Sequence, residues 1–226
     1  MSAPTIEFPI INLKKVSHVG SMDINQKSDN SGYEGGQGIS VSTCPQEWIK
    51  LAKLGGDIFK VSNKKSKFVD FHALKENQND IDKLLKFAEK SGWITPTTIY
   101  KYSFYDGDMD IDMEIDFSSI EEAKEEVEMN GEEFDDVITL VDGFAASDVL
   151  CNAVNLTSIA PAMVIDMVST LFVEKYTDCD GVWWNDDFSL ETMSLPRGLI
   201  FSSKLDNWKI VNTSKMKSKK KNVSPS

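Results

Sequence analysis

The clearest structural signal in the chain is residues 97–117, TTIYKYSFYDGDMDIDMEIDF. The first part, residues 97–105, is rich in β-branched and aromatic side chains, and residues 108–117 alternate strictly between acidic and apolar side chains. Such period-two alternation is typical of a strand with one buried face. Asp106-Gly107 matches a two-residue type I′ turn. The stretch therefore predicts a β-hairpin with an acidic face and an apolar face.

Helices are predicted on both sides of this hairpin. Before it, an apolar set at helical spacing predicts an amphipathic helix: Ile81, Leu84, Leu85 and Ala88. Gly92 ends that helix. After the hairpin, Ser119 with Glu122 makes a capping box for an acid-rich helix that closes at Gly131. From Ser158 to Tyr176 apolar residues run almost all round the helix, which predicts a buried central helix.

Further short elements complete the predicted fold. Strands are expected at residues 14–21, 39–42, 68–71, 181–184 and 198–202. Thr43 with Gln46 predicts a capped helix that runs to about Leu54. The expected class is α+β, with a mixed or antiparallel sheet and flanking helices in one domain over residues 1–211. Residues 212–226 contain five lysines and no acid, and predict a disordered Lys-rich tail.

The charge of the chain is strongly uneven. It has 36 acidic and 24 basic residues, a net charge of −12, which disfavours binding to nucleic-acid backbones. Residues 106–136 contain fifteen acidic residues and one basic residue, Lys124. Residues 106–136 therefore suggest one function: a non-enzymatic acidic interaction or inhibitor protein that binds a basic partner. The same charge also fits a solvated face that keeps the protein soluble.

Cysteine use and the N-terminal sequence bear on the compartment. Cys44, Cys151 and Cys179 form no C-x-x-C pair, so we expect neither a disulfide framework nor a metal site. The apolar segment 6–13 is short and carries Glu7 and Pro9, so we expect no signal peptide and no membrane association. A cytoplasmic protein is the expectation.

Several local patterns fail as functional motifs. The glycines of residues 32–38 precede no Gly-Lys-Ser/Thr, so they do not form a phosphate loop. The aspartates after the hairpin turn lack the glycine that a calcium loop requires at its sixth position. A cysteine nucleophile paired with either histidine has no supporting motif. His72 is expected to be a strand-end residue with backbone partners.

His18 lies at the end of the first strand and is followed by Gly20 and Ser21. In this arrangement a side chain and nearby backbone N–H groups can face one cleft.

Three segments together resemble the three-part signature of the ADP-ribosyltransferases. They are residues 16–21, VSHVGS, residues 38–42, GISVS, and residues 180–187, DGVWWNDD. The last segment follows a long helix and precedes Leu199-Ile200-Phe201, which is similar to the closing hairpin of such domains from bacteria and phages. The resemblance implies a split β-sandwich core with NAD as the substrate. It implies an NAD-dependent transferase that modifies a macromolecular target, or an enzyme that cleaves NAD.

The resemblance also implies residue roles. Asp186 or Asp187 is the catalytic carboxylate, which stabilises the cationic ribose that forms when nicotinamide leaves. His18 contacts the adenosine ribose, Ser40 or Ser42 supports the carboxylate, and Trp183 or Trp184 gives a flat wall for a ring. Tyr33 takes the place of a tyrosine on the Ser40 strand. The implied NAD-binding set is His18, Gly20, Ser21, Tyr33, Ser40, Ser42 and Trp183.

Overall fold

The computed structural model describes residues 1–20, 22–23, 28–29, 38–51, 57–106, 111–186 and 195–213. The chain divides into two compact units. The first comprises Met1–Ile81 with Thr170–Ser226, and the second is Asp82–Ser169. The expectation of one domain over residues 1–211 stays a prediction.

The strands are numbered along the chain. They are β1 (Ile10–Ile11), β2 (Lys15–Gly20), β3 (Met22–Asp23), β4 (Ser28–Asp29), β5 (Gly38–Ser42), β6 (Asp57–Ser62), β7 (Phe68–Asp70), β8 (Ile94–Asp106), β9 (Ile111–Phe117), β10 (Ile138–Ala146), β11 (Gly181–Trp184), β12 (Arg197–Phe201) and β13 (Lys209–Asn212).

The helices are numbered in the same way. They are α1 (Pro45–Leu51), α2 (Phe71–Lys75), α3 (Gln78–Lys90), α4 (Ile120–Met129), α5 (Phe134–Val137), α6 (Asp148–Ala153) and α7 (Val164–Tyr176). Two 3-10 helices lie at Pro161–Met163 and Ser202–Asn207.

The first unit is built on an eight-stranded sheet in the order β1-β7-β11-β12-β5-β2-β6-β13. The β11–β7 pair is parallel and the other pairs are antiparallel, so the sheet is mixed. One face of the central strands carries the core, since the paired residues Val16 and Val61 and the paired residues Ile39 and Ile200 are all buried there. The 3-10 residue Leu205 joins this cluster. The predicted strands at 14–21, 39–42 and 181–184 are confirmed, and each is within two residues of its predicted bounds.

Two local predictions in the first unit need correction. Helix α1 begins at Pro45, because the Trp48 N–H donates to the Cys44 carbonyl and Pro45 fits the first helical position. The cap therefore lies at Cys44, not at Thr43. The predicted strand 68–71 ends at Asp70, whose carboxylate caps α2 by accepting a hydrogen bond from the Ala73 N–H at 3.3 Å.

The second unit contains a three-stranded antiparallel sheet in the order β10-β8-β9. The predicted hairpin is confirmed as β8 and β9, and so is helix α4, whose Ser119 cap accepts from the Glu122 N–H. The turn prediction is wrong. Asp106 pairs with Ile111, so the strands are joined through residues 107–110 and not by Asp106-Gly107 alone. Strand β10 was not predicted.

The α+β class is confirmed, and so is its buried helix. All seven residues from Met167 to Val173 in α7 are buried. Helix α3 buries the predicted apolar set, and Gly92 follows it with a φ of +72°. Among the described residues, no helix is both long enough and apolar enough to cross a membrane.

The first two residues of the predicted disordered tail are ordered. Asn212 belongs to β13 and pairs with Phe59, and the Thr213 N–H donates to the Ile58 carbonyl at 2.9 Å. Residues 214–226, which make up the rest of the predicted tail, lie outside the described residues.

Candidate functional site

Strands from the three family-like segments lie close together in the sheet of the first unit. Their strands are β2, β5 and β11, and only β12 separates β5 from β11. The registers pair Ser17 with Ser42, Ser42 with Arg197, and Arg197 with Trp184. Directly paired residues point to the same face. A row of four side chains therefore crosses four strands, which span about 15 Å at the usual strand spacing.

His18 lies on the other face of the sheet from this row. It pairs with Phe59 and lies two residues from Val16, a core residue, so alternation directs the imidazole to the core face. The side chain is 2% exposed. Its Nδ1 lies 2.8 Å from the Ser40 carbonyl oxygen. Because a carbonyl oxygen can only accept a hydrogen bond, Nδ1 carries the proton and donates a hydrogen bond to the Ser40 carbonyl of β5.

Gly20 lies beside this imidazole. Its φ is +131°, a conformation that favours glycine, and a Cβ there would lie 3.7 Å from the His18 Nε2, an ordinary van der Waals distance. Because His18 is buried on the core face, its predicted contact with an adenosine ribose has no exposed ring edge to support it. Ser21, Tyr33 and Asp187, three further members of the predicted set, lie outside the described residues.

Ser42 is fully buried and holds the ends of two elements. Its Oγ donates to the Pro196 carbonyl at 2.7 Å and accepts from the Cys44 N–H at 2.9 Å. The hydroxyl thus fixes the entry to β12 and the start of α1. The contacts described for this hydroxyl are to backbone groups, not to a carboxylate. Ser40, two residues earlier on the same face, contributes its carbonyl to His18.

Asp186 is the centre of a charged cluster at the end of β11. Its Oδ1 lies 2.8 Å from the His72 Nε2, and its Oδ2 lies 3.4 Å from the Arg197 Nε. The side chains of Asp186, Arg197 and His72 are 19%, 21% and 49% exposed. The Arg197 guanidinium lies over the Trp184 ring, 5.2 Å from its centroid. We call Asp186, His72 and Arg197 the Asp186 cluster.

The sequence did not predict the two partners of Asp186. His72 is not a strand-end residue with backbone partners: it lies in α2, where the Asp70 cap turns the chain. Arg197 is the only arginine of the chain, but nothing in its local sequence indicates a carboxylate partner. The Asp70-Phe-His-Ala73 spacing of a helix cap is the signal that would have placed His72 on a helix.

Trp183 is a core residue in the described structure. Its ring is 1% exposed and contacts Phe68 edge-on, with centroids 6.0 Å apart. A Cβ on Gly198 would lie 2.4 Å from this ring, so the indole covers the β12 backbone. The proposed role of Trp183 as a ligand wall therefore has no exposed ring face to support it. Trp184 faces the Asp186 cluster but is also buried, against Phe71.

The acidic residues predicted for docking lie in the second unit. Exposed carboxylates on β9, α4 and the following segment are Asp112, Glu114, Glu121, Glu122, Glu125, Glu128, Glu132, Glu133, Asp135 and Asp136. Lys101 of β8 lies among them, and its hydrogen bond to Glu114, with the nearby charge of Asp116, raises its pKa. In the described ranges, no group of three or more metal-ligating side chains lies close enough to hold a metal ion.

No family model, curated protein or solved structure matches this chain.

Proposed function

We propose that the first unit is an NAD-binding, ADP-ribosyltransferase-like unit whose reacting carboxylate is Asp186. The observation that carries the proposal is the row Trp184–Arg197–Ser42–Ser17, which links the three family-like segments through strand pairing. These segments are far apart in the sequence, and His18 further joins the first to the second through its bond to Ser40.

The chemistry follows from the charge of the carboxylate. When the bond between the ribose C1′ and the nicotinamide nitrogen breaks, its electron pair leaves with nicotinamide and the ribose becomes cationic. A fixed carboxylate stabilises that cation more than it stabilises the substrate. The acceptor, either water or a nucleophile of a macromolecular target, adds to C1′ and releases its proton to solvent.

Asp186 has two partners, the Arg197 guanidinium, whose positive charge reduces its field, and the His72 imidazole. Arg197, which packs on Trp184, keeps the carboxylate in place. His72 is the more exposed partner, about half accessible. We propose that NAD displaces His72, so that the ribose occupies its place beside the Asp186 Oδ1. Asp187, the alternative carboxylate, keeps the same predicted role.

The test uses the full chain with NAD labelled in the nicotinamide or in the adenosine. We expect the protein to release labelled nicotinamide from NAD. When a bacterial extract is present, we also expect the adenosine label to appear on a protein target. Asp186→Asn should lower nicotinamide release at least 100-fold. Asp178→Asn is the matched control, because Asp178 is an exposed aspartate that pairs with Lys67, and it should stay within twofold. Release no faster than in buffer, or equal loss in both variants, would contradict the proposal.

A cytoplasmic location is part of the proposal. All three cysteines are free thiols. Burial raises the pKa of Cys151 and of Cys179, which keeps both in the unreactive thiol form. Unpaired thiols are typical of a reducing compartment.

A second candidate function is docking of a basic partner on the acidic surface of the second unit. Its support is the set of ten exposed carboxylates within residues 112–136. Such binding should weaken steeply between 50 mM and 500 mM salt. Glu121→Gln with Glu125→Gln and Glu128→Gln should weaken it, whereas Asp186→Asn should leave it unchanged. Binding that ignores both salt and these three substitutions would rule the surface out.

A further inference from the structure

A basic groove lies on the face of β2, β6 and β13 that is opposite the core. It consists of two adjoining hollows of about 450 and 550 Å³ that share Lys15, Ser62 and Lys209. Five lysines line them: Lys14, Lys15, Lys60, Lys64 and Lys209. Within the described part of the chain, no carboxylate lines either hollow. We call this feature the lysine groove.

Strand register builds the floor of the lysine groove. Lys15 pairs with Ser62, which pairs with Lys209, so the two lysines flank one hydroxyl. One row further along, Ser17 pairs with Lys60. Since paired side chains share a face, lysines from three strands converge there, with Lys15 and Lys209 about 10 Å apart at the Cα positions.

The positive charge of the lysine groove is not neutralised by the described residues. No described carboxylate lies within ion-pair distance of any of its five lysines, whereas Lys67 pairs with Asp178 and Lys101 with Glu114. Like charges about 10 Å apart repel by about 0.4 kcal/mol per pair even in water. The described carboxylates thus leave the positive charge of the lysine groove unpaired, and an external anion would relieve the repulsion between its lysines.

The shape of the lysine groove favours a small ligand over a long polyanion. Hollows of this size fall within the range of small-molecule sites. A nucleic acid would extend beyond the two hollows, whereas a short phosphate chain matches their size. One hollow includes Val211 and the hydroxyls of Ser17 and Thr43, and the other is lined almost entirely by lysines with Ser62 and Asn63.

We propose that the lysine groove binds a linear chain of phosphates, either as free oligophosphate or as part of a nucleoside polyphosphate. A terminal phosphate carries a charge of about −2 near neutral pH, and the ammonium groups bind it as point charges. The phosphates occupy the lysine-lined hollow, where the Ser62 hydroxyl donates to the chain between Lys15 and Lys209. The Ser17 hydroxyl lies in the adjoining hollow. The Asp186 cluster does not line the groove, which shares only Ser17 and Ser42 with the row that carries the proposed function. The inference requires no transferase activity.

Calorimetric titration of the full chain with tripolyphosphate, ATP and adenosine tests the proposal. We expect tripolyphosphate and ATP to bind and adenosine alone not to bind. Lys15→Gln with Lys209→Gln should weaken both at least tenfold. The matched control is Lys86→Gln with Lys90→Gln, which removes the same charge from exposed positions of α3, and it should stay within twofold.

The comparison of the ligands identifies the source of the phosphates. ATP that binds at least threefold more tightly than tripolyphosphate indicates a nucleotide, and equal affinity indicates free oligophosphate. Three results would overturn the proposal. Tripolyphosphate does not bind at millimolar concentration, or both double variants lose the same affinity for it. The third is a single-stranded oligonucleotide that binds more tightly than tripolyphosphate. If the first double variant does not fold, Lys64→Gln, at an exposed turn, should still weaken binding.

Discussion

The Nε of Arg197 lies 3.4 Å from the Oδ2 of Asp186, and both side chains are about one-fifth exposed. Partial burial strengthens such a pair relative to an exposed one. A double-mutant cycle with Asp186→Asn and Arg197→Gln should therefore give a coupling free energy of about 1 kcal/mol in urea unfolding. A coupling near zero would show that the two side chains do not interact in solution. The exposed pair Lys67–Asp178 is the control and should couple more weakly.

His18 should be the Nδ1-protonated tautomer. Its Nδ1 donates to the Ser40 carbonyl, and the ring is buried. Nitrogen-15 NMR of the neutral side chains distinguishes the two tautomers, and His72→Gln assigns the signals because the chain has two histidines. A proton on Nε2 of His18 would contradict the geometry. His18→Leu should cost about 2 kcal/mol of unfolding free energy, since it leaves the Ser40 carbonyl without this donor.

Gly181 should not tolerate a side chain. A Cβ there would lie 1.8 Å from the Leu199 carbonyl oxygen on the paired strand β12. Gly181→Ala should lower the unfolding free energy by about 3 kcal/mol or more, because backbone must move to admit the methyl group. Gly131→Asn is the control: its φ is +74° with open space around it, and asparagine tolerates that conformation. Equal stability of the two variants would refute the close approach of β11 and β12.

Tyr102 should ionise at a higher pH than an unfolded tyrosine. Burial, together with the hydrogen bond that its hydroxyl donates to Glu132 at 2.8 Å, raises its pKa to about 12. An unfolded tyrosine has a pKa of about 10. Because the folded pKa is the higher one, the stability that this group contributes is complete below about pH 10 and is lost as the pH rises towards 12.

Absorbance at alkaline pH measures this ionisation. The chain has five tyrosines, and Tyr102→Phe should remove one ionisation step near pH 12. If the variant loses a step near pH 10 instead, the Tyr102 hydroxyl is not buried against Glu132.

Local sequence predicted the faces of the hairpin but not its turn. A turn at Asp106-Gly107 would pair Tyr105 with Asp108, whereas Tyr105 pairs with Asp112. The two registers differ by four residues, and an even shift keeps every side chain on its face. Alternation therefore cannot distinguish them. The cap of α4 shows the opposite case, because the single Ser119 side chain fixes the start of that helix and was recognised from the sequence.

The sequence did not predict strand β10, because a glycine within it, Gly143, is explained only by a residue of another strand, Ile99. Gly143 interrupts the strand sequence, yet a Cβ there would lie 2.5 Å from the Ile99 side chain on β8. The glycine therefore admits a neighbour that is remote in the sequence. The Asp186 cluster was missed for the same reason. Its members come from α2, β12 and the residues after β11, and only the strand order brings them together.

Binding of NAD to the first unit beside Asp186 is the interaction on which the proposed function depends. A titration of the nitrogen-15-labelled full chain with NAD, followed by NMR, tests it without requiring turnover. We expect saturable shifts of the amides of Gly20, Ser42 and Asp186 and of the Trp184 indole, and weaker binding in Asp186→Asn. No shift in these signals at millimolar NAD, or shifts confined to the second unit, would contradict it.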